Sequence, residues 1–412
     1  MRFAVLSYHT SPLAQPGVGD GGGMNVYVKR LASALVRSGA DCDVYTRSTS
    51  VNDPLKIVVE PGFVVHNVPA GPLRHLEKEE LLDHVDEFRD EVLSLMLDSN
   101  SFMPDLIHSN YWLSGIAGHT IKHELDVPML TTFHTLERVK SFGRTRPDDG
   151  YDEDFRVKKE LEIMGCSDAV LVSCAQEMIQ LVDLYGISAE RVEVVTPGVD
   201  HAFFAPGAKA MARQALGLDQ NKKLLLWIGR IQPLKAPSMA VAALGILARE
   251  FDVEMVMIGG PSGIEGSEEL NLVRKLAESY GVQERLHLIS PQPHETISSY
   301  YRAADLCFIT SRTESFGLVA LEAASCGLVT IASDVGGLTS VIDGGMTGIL
   351  VSERSPEKFA EEAGNLLSHP EQMKAMSKAA VEKSFGYTWS YAARQMSSIS
   401  RSLLARELLS CS

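Results

Sequence analysis

Short apolar runs alternate along the chain with longer stretches in which apolar residues recur every three or four positions. The short runs predict strands near residues 3–8, 42–46, 105–109, 128–132, 169–172 and 192–195. The longer stretches predict helices near 24–38, 77–98, 114–124, 156–166 and 175–185. Strands alternating with helices build a parallel sheet covered on both faces. The rhythm breaks at TPGVDHAFFAPGAKA, where Pro-Gly and Gly turns mark a domain boundary. It resumes with strands near 222–229, 253–259, 285–289, 306–310 and 328–333, separated by helices near 237–250, 268–279, 294–303 and 317–326. From residue 356 or so the chain reads as helical to its end. The fold class that follows is α/β: two doubly wound halves in tandem, residues 1–200 and 201–390, facing across a cleft, with a last helix over 391–412 crossing back to the first half.

A length of 412 residues suits two such domains. With 45% hydrophobic and 22% charged residues, the chain is neither disordered nor fibrous. Lys and Arg total 38 against 53 Asp and Glu, a formal charge of −15, and this field repels nucleic acid and anionic lipid. Any anionic ligand must then be held by local cations. No apolar window of about 18 residues predicts a transmembrane helix, and no cleavage site follows the first strand, so a cytoplasmic protein is expected. The cysteines at 42, 166, 174, 307, 326 and 411 form no Cys-x-x-Cys pair and lack matching His spacing for zinc; reduced, buried thiols are expected.

The run Gly17-Val18-Gly19-Asp20-Gly21-Gly22 matches Gly-x-Gly-x-x-Gly, with Asp41 and Asp43 about 20 residues on. Residues His9 to Pro16, however, separate the strand from Gly17, whereas a dinucleotide fingerprint turns directly out of its strand. The preferred reading is an anion-accepting loop whose glycines Gly21 to Gly23 expose N–H groups at the start of a helix; a plain glycine-rich surface loop is the alternative. In the second half, Arg230 and Lys235 follow the strand LLLWIG, at the carboxyl end where doubly wound sheets bind ligands. A planar fork and a point charge together suit a diphosphate. Glu314 and Glu322 follow the strand LCFIT in the run TESFGLVALE, where carboxylates near a helix start accept hydrogen bonds from sugar hydroxyls. Helix capping plus a solvated acid is the bland alternative. His134 ends the strand run TTFHT and reads as a group beside the reacting centre or as a structural histidine.

The glycine-rich loop, Gly229-Arg230 with Lys235, and the Glu314/Glu322 pair stand in an order and spacing that resemble the retaining GT-B glycosyltransferases, the family that includes sucrose-phosphate synthase. The stretches HTSPLAQPGVGDGGGMNVYV, VPAGP, NYWLSG, VDLYG, IGRIQPLKAP, GGPSG, YRAADL and TESFGLVALEA resemble the branch that glycosylates inositol phosphate at the start of mycothiol synthesis, and the likeness covers nearly the whole chain. The resemblance implies transfer of N-acetylglucosamine from a UDP-sugar to 1D-myo-inositol 3-phosphate. It implies donor contacts from Gln15, Pro16, Gly23, Arg230, Lys235, Glu314 and Glu322, with His134, Arg230, Lys235 and Glu314 catalytic. It implies acceptor contacts from Asp20, Gly21, Gly22, Gly23, Met24, Asn25, Lys78, Tyr111, Thr135 and Arg156. Lys78 in LEKEELLDHVDEF and Arg156 before VKKELE also read as ordinary charged positions on solvated helices. No cofactor is required for the chemistry; Mg2+ beside Tyr301, Arg302, Ala304 and Leu328 is optional, and Leu328 stands where the family carries Thr. Ser141 replaces the family's Asn, and the segment after it is unusually charged. The expected partners are a UDP-sugar and an anionic small-molecule acceptor, no nucleic acid, and a homodimer is compatible with the sequence. A glycosyltransferase of other donor or acceptor, a UDP-sugar epimerase and a two-domain solute-binding protein are the competing classes.

Overall fold

A computed structural model of the chain describes residues 1–98, 103–141, 153–263 and 265–409. Two compact units emerge: residues 1–14, 23–197 and 389–412 form one, and residues 15–22 and 198–388 the other.

The first unit opens with β1 (Arg2–Leu6), α1 (Gly23–Arg37), β2 (Asp41–Arg47), β3 (Lys56–Glu60) and β4 (Phe63–Val68). It continues through α2 (Lys78–Leu81), α3 (Val85–Leu97), β5 (Leu106–Asn110), α4 (Trp112–Leu125), β6 (Met129–Thr132) and α5 (Glu137–Ser141). Then follow α6 (Glu153–Cys166), β7 (Ala169–Val172), α7 (Ala175–Tyr185) and β8 (Val192–Val194). The sheet order is β3-β4-β2-β1-β5-β6-β7-β8, and β3 pairs antiparallel with β4. All of β1 after Arg2 is buried, as a strand covered on both faces must be. Val5 pairs with Val44 on one side and His108 on the other, so the winding reverses between β1 and β5 and leaves a crevice at their carboxyl ends. Along α1, Tyr27, Val28, Leu31, Ala32 and Leu35 turn one apolar face inward. Tyr8, Phe88, Trp112 and Ile121 belong to the core this face helps to cover.

The sequence pattern predicts no strand between residues 47 and 104, yet β3 and β4 lie there. KIVVE is a half-exposed edge strand with charged ends, so it lacks the continuous apolar run of a central strand. The predicted helix over 77–98 is broken by a 3-10 turn at Leu82–His84.

The second unit contains α8 (Lys209–Leu216), β9 (Lys223–Ile228), α9 (Pro237–Leu247), β10 (Val253–Ile258) and α10 (Gly266–Tyr280). Next come β11 (Leu286–Ile289), α11 (His294–Ala303), β12 (Leu306–Ile309), α12 (Leu318–Ser325) and β13 (Val329–Ser333). It closes with α13 (Leu338–Val341), β14 (Gly348–Val351), α14 (Pro356–Ser368) and α15 (Pro370–Ser384). Its sheet is wholly parallel, in the order β11-β10-β9-β12-β13-β14, over a core that includes Leu225, Trp227, Met255, Phe308 and Phe359. The unpredicted β14 is four residues long and begins with glycine.

The last helix, α16 (Trp389–Leu404), belongs to the first unit, where it packs along α1. The Trp389 ring lies 6.0 Å from Tyr27, and the Thr196 N–H donates to Gln395 Oε1 at 3.2 Å. Residues 15–22, by contrast, sit on the second unit: Gln15 Nε2 donates to the Pro291 carbonyl at 2.8 Å. Cys42, Cys174, Cys307 and Cys326 are buried thiols. Cys166 is disulfide-bonded, a correction to the all-thiol expectation, since sequence spacing carries no information about which sulfurs meet. Cys411 lies outside the described residues, as does the charged segment 142–152. Among the described residues, no helix is long and apolar enough to cross a membrane.

Candidate active site

In the second sheet the winding reverses between β9 and β12, and the loops leaving their carboxyl ends carry the charged candidates. Lys235 Nζ donates to both oxygens of Glu314, at 2.7 Å to Oε1. Thr310, just past β12, donates from its hydroxyl to the carbonyls of Lys235 and Ala236 at 2.9 and 2.8 Å, and this pins the lysine's backbone. Ala236 adopts a positive φ of 45° before Pro237 opens α9, a strained turn for a residue with a Cβ. Arg230 reaches toward Ser262 Oγ at 3.5 Å and lies against Gly22, where a Cβ would stand 3.4 Å from its Nε. Lys235 is thus paired with a carboxylate, whereas Arg230, in the same loop after β9, makes its contacts with Ser262 and Gly22.

The Glu314 backbone is cradled by two glycines that sequence reasoning missed. Gly337 N–H donates to the Glu314 carbonyl at 2.9 Å. A Cβ on Gly336 would stand 2.0 Å from that same oxygen, and one on Gly337 would stand 2.1 Å from the Ser315 carbonyl. The dipeptide Gly336-Gly337 after the strand run LVTIAS was the available signal.

Glu322 does not sit at the helix start that the sequence reading gave it. It lies in the second turn of α12, nearly buried, and accepts from His294 Nε2 at 2.6 Å and from the Tyr301 hydroxyl at 2.9 Å. Burial and the adjacent Glu322 charge push the Tyr301 hydroxyl well above the usual phenol range, so it stays a donor. His294 was also missed; it begins α11 and meets Glu322 only through folding.

The optional magnesium finds a poor donor set. The Tyr301 hydroxyl is committed to Glu322, and the Arg302 guanidinium, itself cationic, donates to the Ala205 carbonyl at 2.8 Å and to the Phe203 carbonyl. Ala304 closes α11, and Leu328 is a buried hydrocarbon. Only backbone oxygens would be left to a hard ion that ordinarily takes one or two carboxylates, and no step below passes through magnesium.

In the first unit the corresponding loops follow β5 and β6. Four described residues other than glycine have positive φ: Tyr111, Asp126, His134 and Ala236. Asp126 is the left-handed cap that ends α4. Tyr111 and His134 stand just past the carboxyl ends of β5 and β6, and Ala236 follows Lys235 at the start of α9; strain of this kind is characteristic of functional positions. His134 Nε2–H donates to Asn110 Oδ1 at 2.9 Å, and its ring meets the edge of Tyr27. Burial first, then the neighbouring His108 and His9, hold its imidazole down at about 3, so it is neutral at physiological pH. With the proton on Nε2, Nδ1 is the acceptor.

Tyr111, Thr135 and Arg156 are brought together. The Tyr111 ring packs 4.4 Å from His9, and the Arg156 guanidinium lies 5.2 Å over it. Arg156 is fully buried, which excludes the solvated-face alternative. Its Nη1 pairs with Glu137 at 2.9 Å and its Nε with Glu160 at 3.0 Å, while Nη2 donates to the Thr135 carbonyl at 3.2 Å. Burial outweighs that arginine and holds the Glu160 carboxyl above its usual range. Sequence reasoning missed Glu160 because VKKELE has the mixed charge of a surface helix, and Glu137 because it meets Arg156 only through packing.

The predicted run Asp20 to Asn25 is divided. Asp20, Gly21 and Gly22 go with the second unit, whereas Gly23, Met24 and Asn25 begin α1 in the first. Gly21 is required by a close approach, since a Cβ would stand 2.6 Å from the Gln15 carbonyl, and Pro16 lies in the same tight turn. Asn25 is buried, and its Nδ2 donates to Thr10 Oγ1 at 2.8 Å and the Ser11 carbonyl at 2.6 Å, tying down the loop after β1. Lys78 opens α2, but its side chain is outside the described ones.

Residues 208–383 match the family model of the glycosyl transferases group 1, and residues 21–203 match that of glycosyltransferase family 4. The chain is 40% identical to a D-inositol 3-phosphate glycosyltransferase of Kribbella flavida, over 95% of this chain and 93% of that one. The chain belongs to the group 1 glycosyltransferases. Among solved structures, this glycosyltransferase is similar to sucrose-phosphate synthase from Thermosynechococcus elongatus, with a TM-score of 0.90 at 29% identity, covering 98% of this chain and 99% of that one. Anabaena HepE in complex with UDP-glucose, at a TM-score of 0.77 and 17% identity over 98% of this chain and 100% of that one, shares the fold. The glycosyltransferase therefore has the GT-B architecture, two Rossmann-like α/β units.

Proposed function

We propose that this glycosyltransferase moves N-acetylglucosamine from UDP-N-acetylglucosamine to 1D-myo-inositol 3-phosphate with retention at the anomeric carbon, the opening step of mycothiol synthesis. The donor half rests on one observation: Arg230 and the Lys235–Glu314 pair at the β9/β12 switch point, a local excess of positive charge where a diphosphate would bind. The acceptor half is supported by the 40% identity to a relative named for inositol 3-phosphate.

As the bond between the anomeric carbon and the diphosphate breaks, its electron pair moves onto a β-phosphate oxygen. Arg230 and Lys235 stabilise that growing charge more in the transition state than in the ground state. The acceptor hydroxyl forms the new bond on the same face, and its proton passes to the departing phosphate oxygen. A protein base is thereby unnecessary, which suits a neutral His134 whose Nδ1 accepts from a donor-sugar hydroxyl. Glu314, steadied by Lys235, holds the hexose, and Glu322, steadied by His294 and Tyr301, holds the ribose. Lys78 and the Gly-rich loop take the acceptor phosphate. Arg156, already shared by two carboxylates, acts as a positioning residue for Tyr111 and Thr135.

Mass spectrometry of reactions with UDP-N-acetylglucosamine and either inositol 3-phosphate or free myo-inositol tests the proposal. Product from the phosphate and little from free inositol is expected. Equal use of both acceptors, or transfer from a different nucleotide sugar only, would overturn it.

A further inference from the structure

A second constellation lies on the first unit, in α4 and α6. His119 and His123 are four residues apart on α4 and so share one face of the helix. Cys166 is the last residue of α6. Its Sγ lies 3.1 Å from His119 Nε2 and 3.4 Å from His123 Nε2, and the three ligand atoms all fall within 4.8 Å of one another. Zinc bonds of about 2.3 Å to sulfur and 2.0–2.1 Å to nitrogen, opened at the tetrahedral angle, set sulfur–nitrogen edges near 3.5 Å. The two observed sulfur–nitrogen spacings therefore come close to two edges of a zinc tetrahedron.

The surroundings hold these groups in place. Lys122, between the two histidines, is buried and donates to the Cys166 carbonyl at 2.8 Å, while Asp168 balances its charge at 2.8 Å. Arg191 Nη2 binds the carbonyls of Met164 and Gly165 at 2.7 and 3.1 Å, fixing the turn that carries the sulfur. The site is open to solvent on the His123 side, which gives an ion a way in.

We propose that the reduced chain binds one zinc-class dication through His119 Nε2, His123 Nε2 and Cys166 Sγ, stapling α4 to α6. The disulfide at Cys166 is the oxidised alternative of the same sulfur. A dithiol reductant supplies two electrons and two protons to open it and is itself oxidised to a disulfide; the Cys166 thiol then releases its proton as the metal binds. This assignment is independent of which substrates the enzyme takes.

The test is metal content and cobalt substitution on the whole chain. Protein reduced with dithiol, loaded with Zn2+ and desalted should retain about one ion per chain, whereas air-oxidised protein should retain none until the dithiol is added. Cys166→Ala and His119→Ala should each weaken retention by at least about ten-fold while the far-ultraviolet circular dichroism is unchanged. Co2+ on the reduced wild type should give thiolate-to-metal charge-transfer absorption, a readout that needs no variant. Zinc retention equal in the wild type and Cys166→Ala, absence of the cobalt–thiolate band, or a disulfide that survives the dithiol would each overturn the proposal.

Discussion

Replacing Gly336 by Ala should inactivate the enzyme without touching any side chain of the site. The new Cβ would stand 2.0 Å from the Glu314 carbonyl oxygen, where real contacts keep at least 3.0 Å, so the Glu314 backbone must retreat by about 1.0 Å. A displacement of that size typically lowers turnover by about 100-fold, and here it would pull Glu314 and its partner Lys235 out of the geometry of the proposed donor site. Gly336 also has a φ of +50°, which adds roughly 1–2 kcal/mol of backbone strain to the variant. Gly281→Ala separates these effects: its φ is +68° but nothing lies within 4 Å, so it should lose roughly 1–2 kcal/mol in urea unfolding and keep its activity. The assay is kcat/KM for sugar transfer beside the unfolding curve for both variants. A folded Gly336→Ala within about three-fold of the parent, or a Gly281→Ala that is equally inactive, would refute the cradle argument.

Other consequences can be checked separately. Lys235→Ala should lower kcat/KM by about 100-fold or more, since one donor to developing charge contributes about 3–4 kcal/mol, and steady-state kinetics on the folded variant measures this. Calorimetry with UDP should separate the acids: Glu322→Gln loses UDP affinity, whereas Glu314→Gln retains it and transfers slowly. Arg156→Ala should destabilise the chain by about 3–5 kcal/mol in urea unfolding because Glu137 and Glu160 are left buried without their cation, whereas Lys78→Ala should raise only the acceptor KM. Burial raises the Glu177 carboxyl to about 7, so between its ordinary value of 4.5 and 7 the folded state holds the extra proton and stability falls as pH rises. Urea unfolding of Glu177→Gln at pH 5 and pH 8 should show the variant gaining on the parent by a few kcal/mol at the higher pH, roughly what a shift of that size implies.

The tandem α/β plan was legible because buried parallel strands such as FAVL and LLLWI are continuous apolar runs, and Arg230 and Lys235 were legible because they follow such a strand. Edge strand β3 was not, because only one neighbour and partial burial hold it. The partners of the candidate groups were invisible for a different reason. His294 reaches Glu322, and Glu137 reaches Arg156, only through tertiary packing across separations that leave no local pattern. The histidine–cysteine cluster escaped in the same way: the two histidines are a helix turn apart, but Cys166 follows 43 residues later, outside any short metal motif. The allocation of residues 15–22 to the second unit depends on contacts such as Gln15 with Pro291, which chain order argues against.

The most direct test of the proposed reaction is proton NMR of a single tube holding the purified chain, UDP-N-acetylglucosamine and 1D-myo-inositol 3-phosphate. The account predicts that UDP and an α-linked N-acetylglucosaminyl inositol phosphate appear in equal amounts, and that UDP forms only slowly when the acceptor is omitted. A β-linked product, or UDP release at the same rate with and without the acceptor, would contradict it.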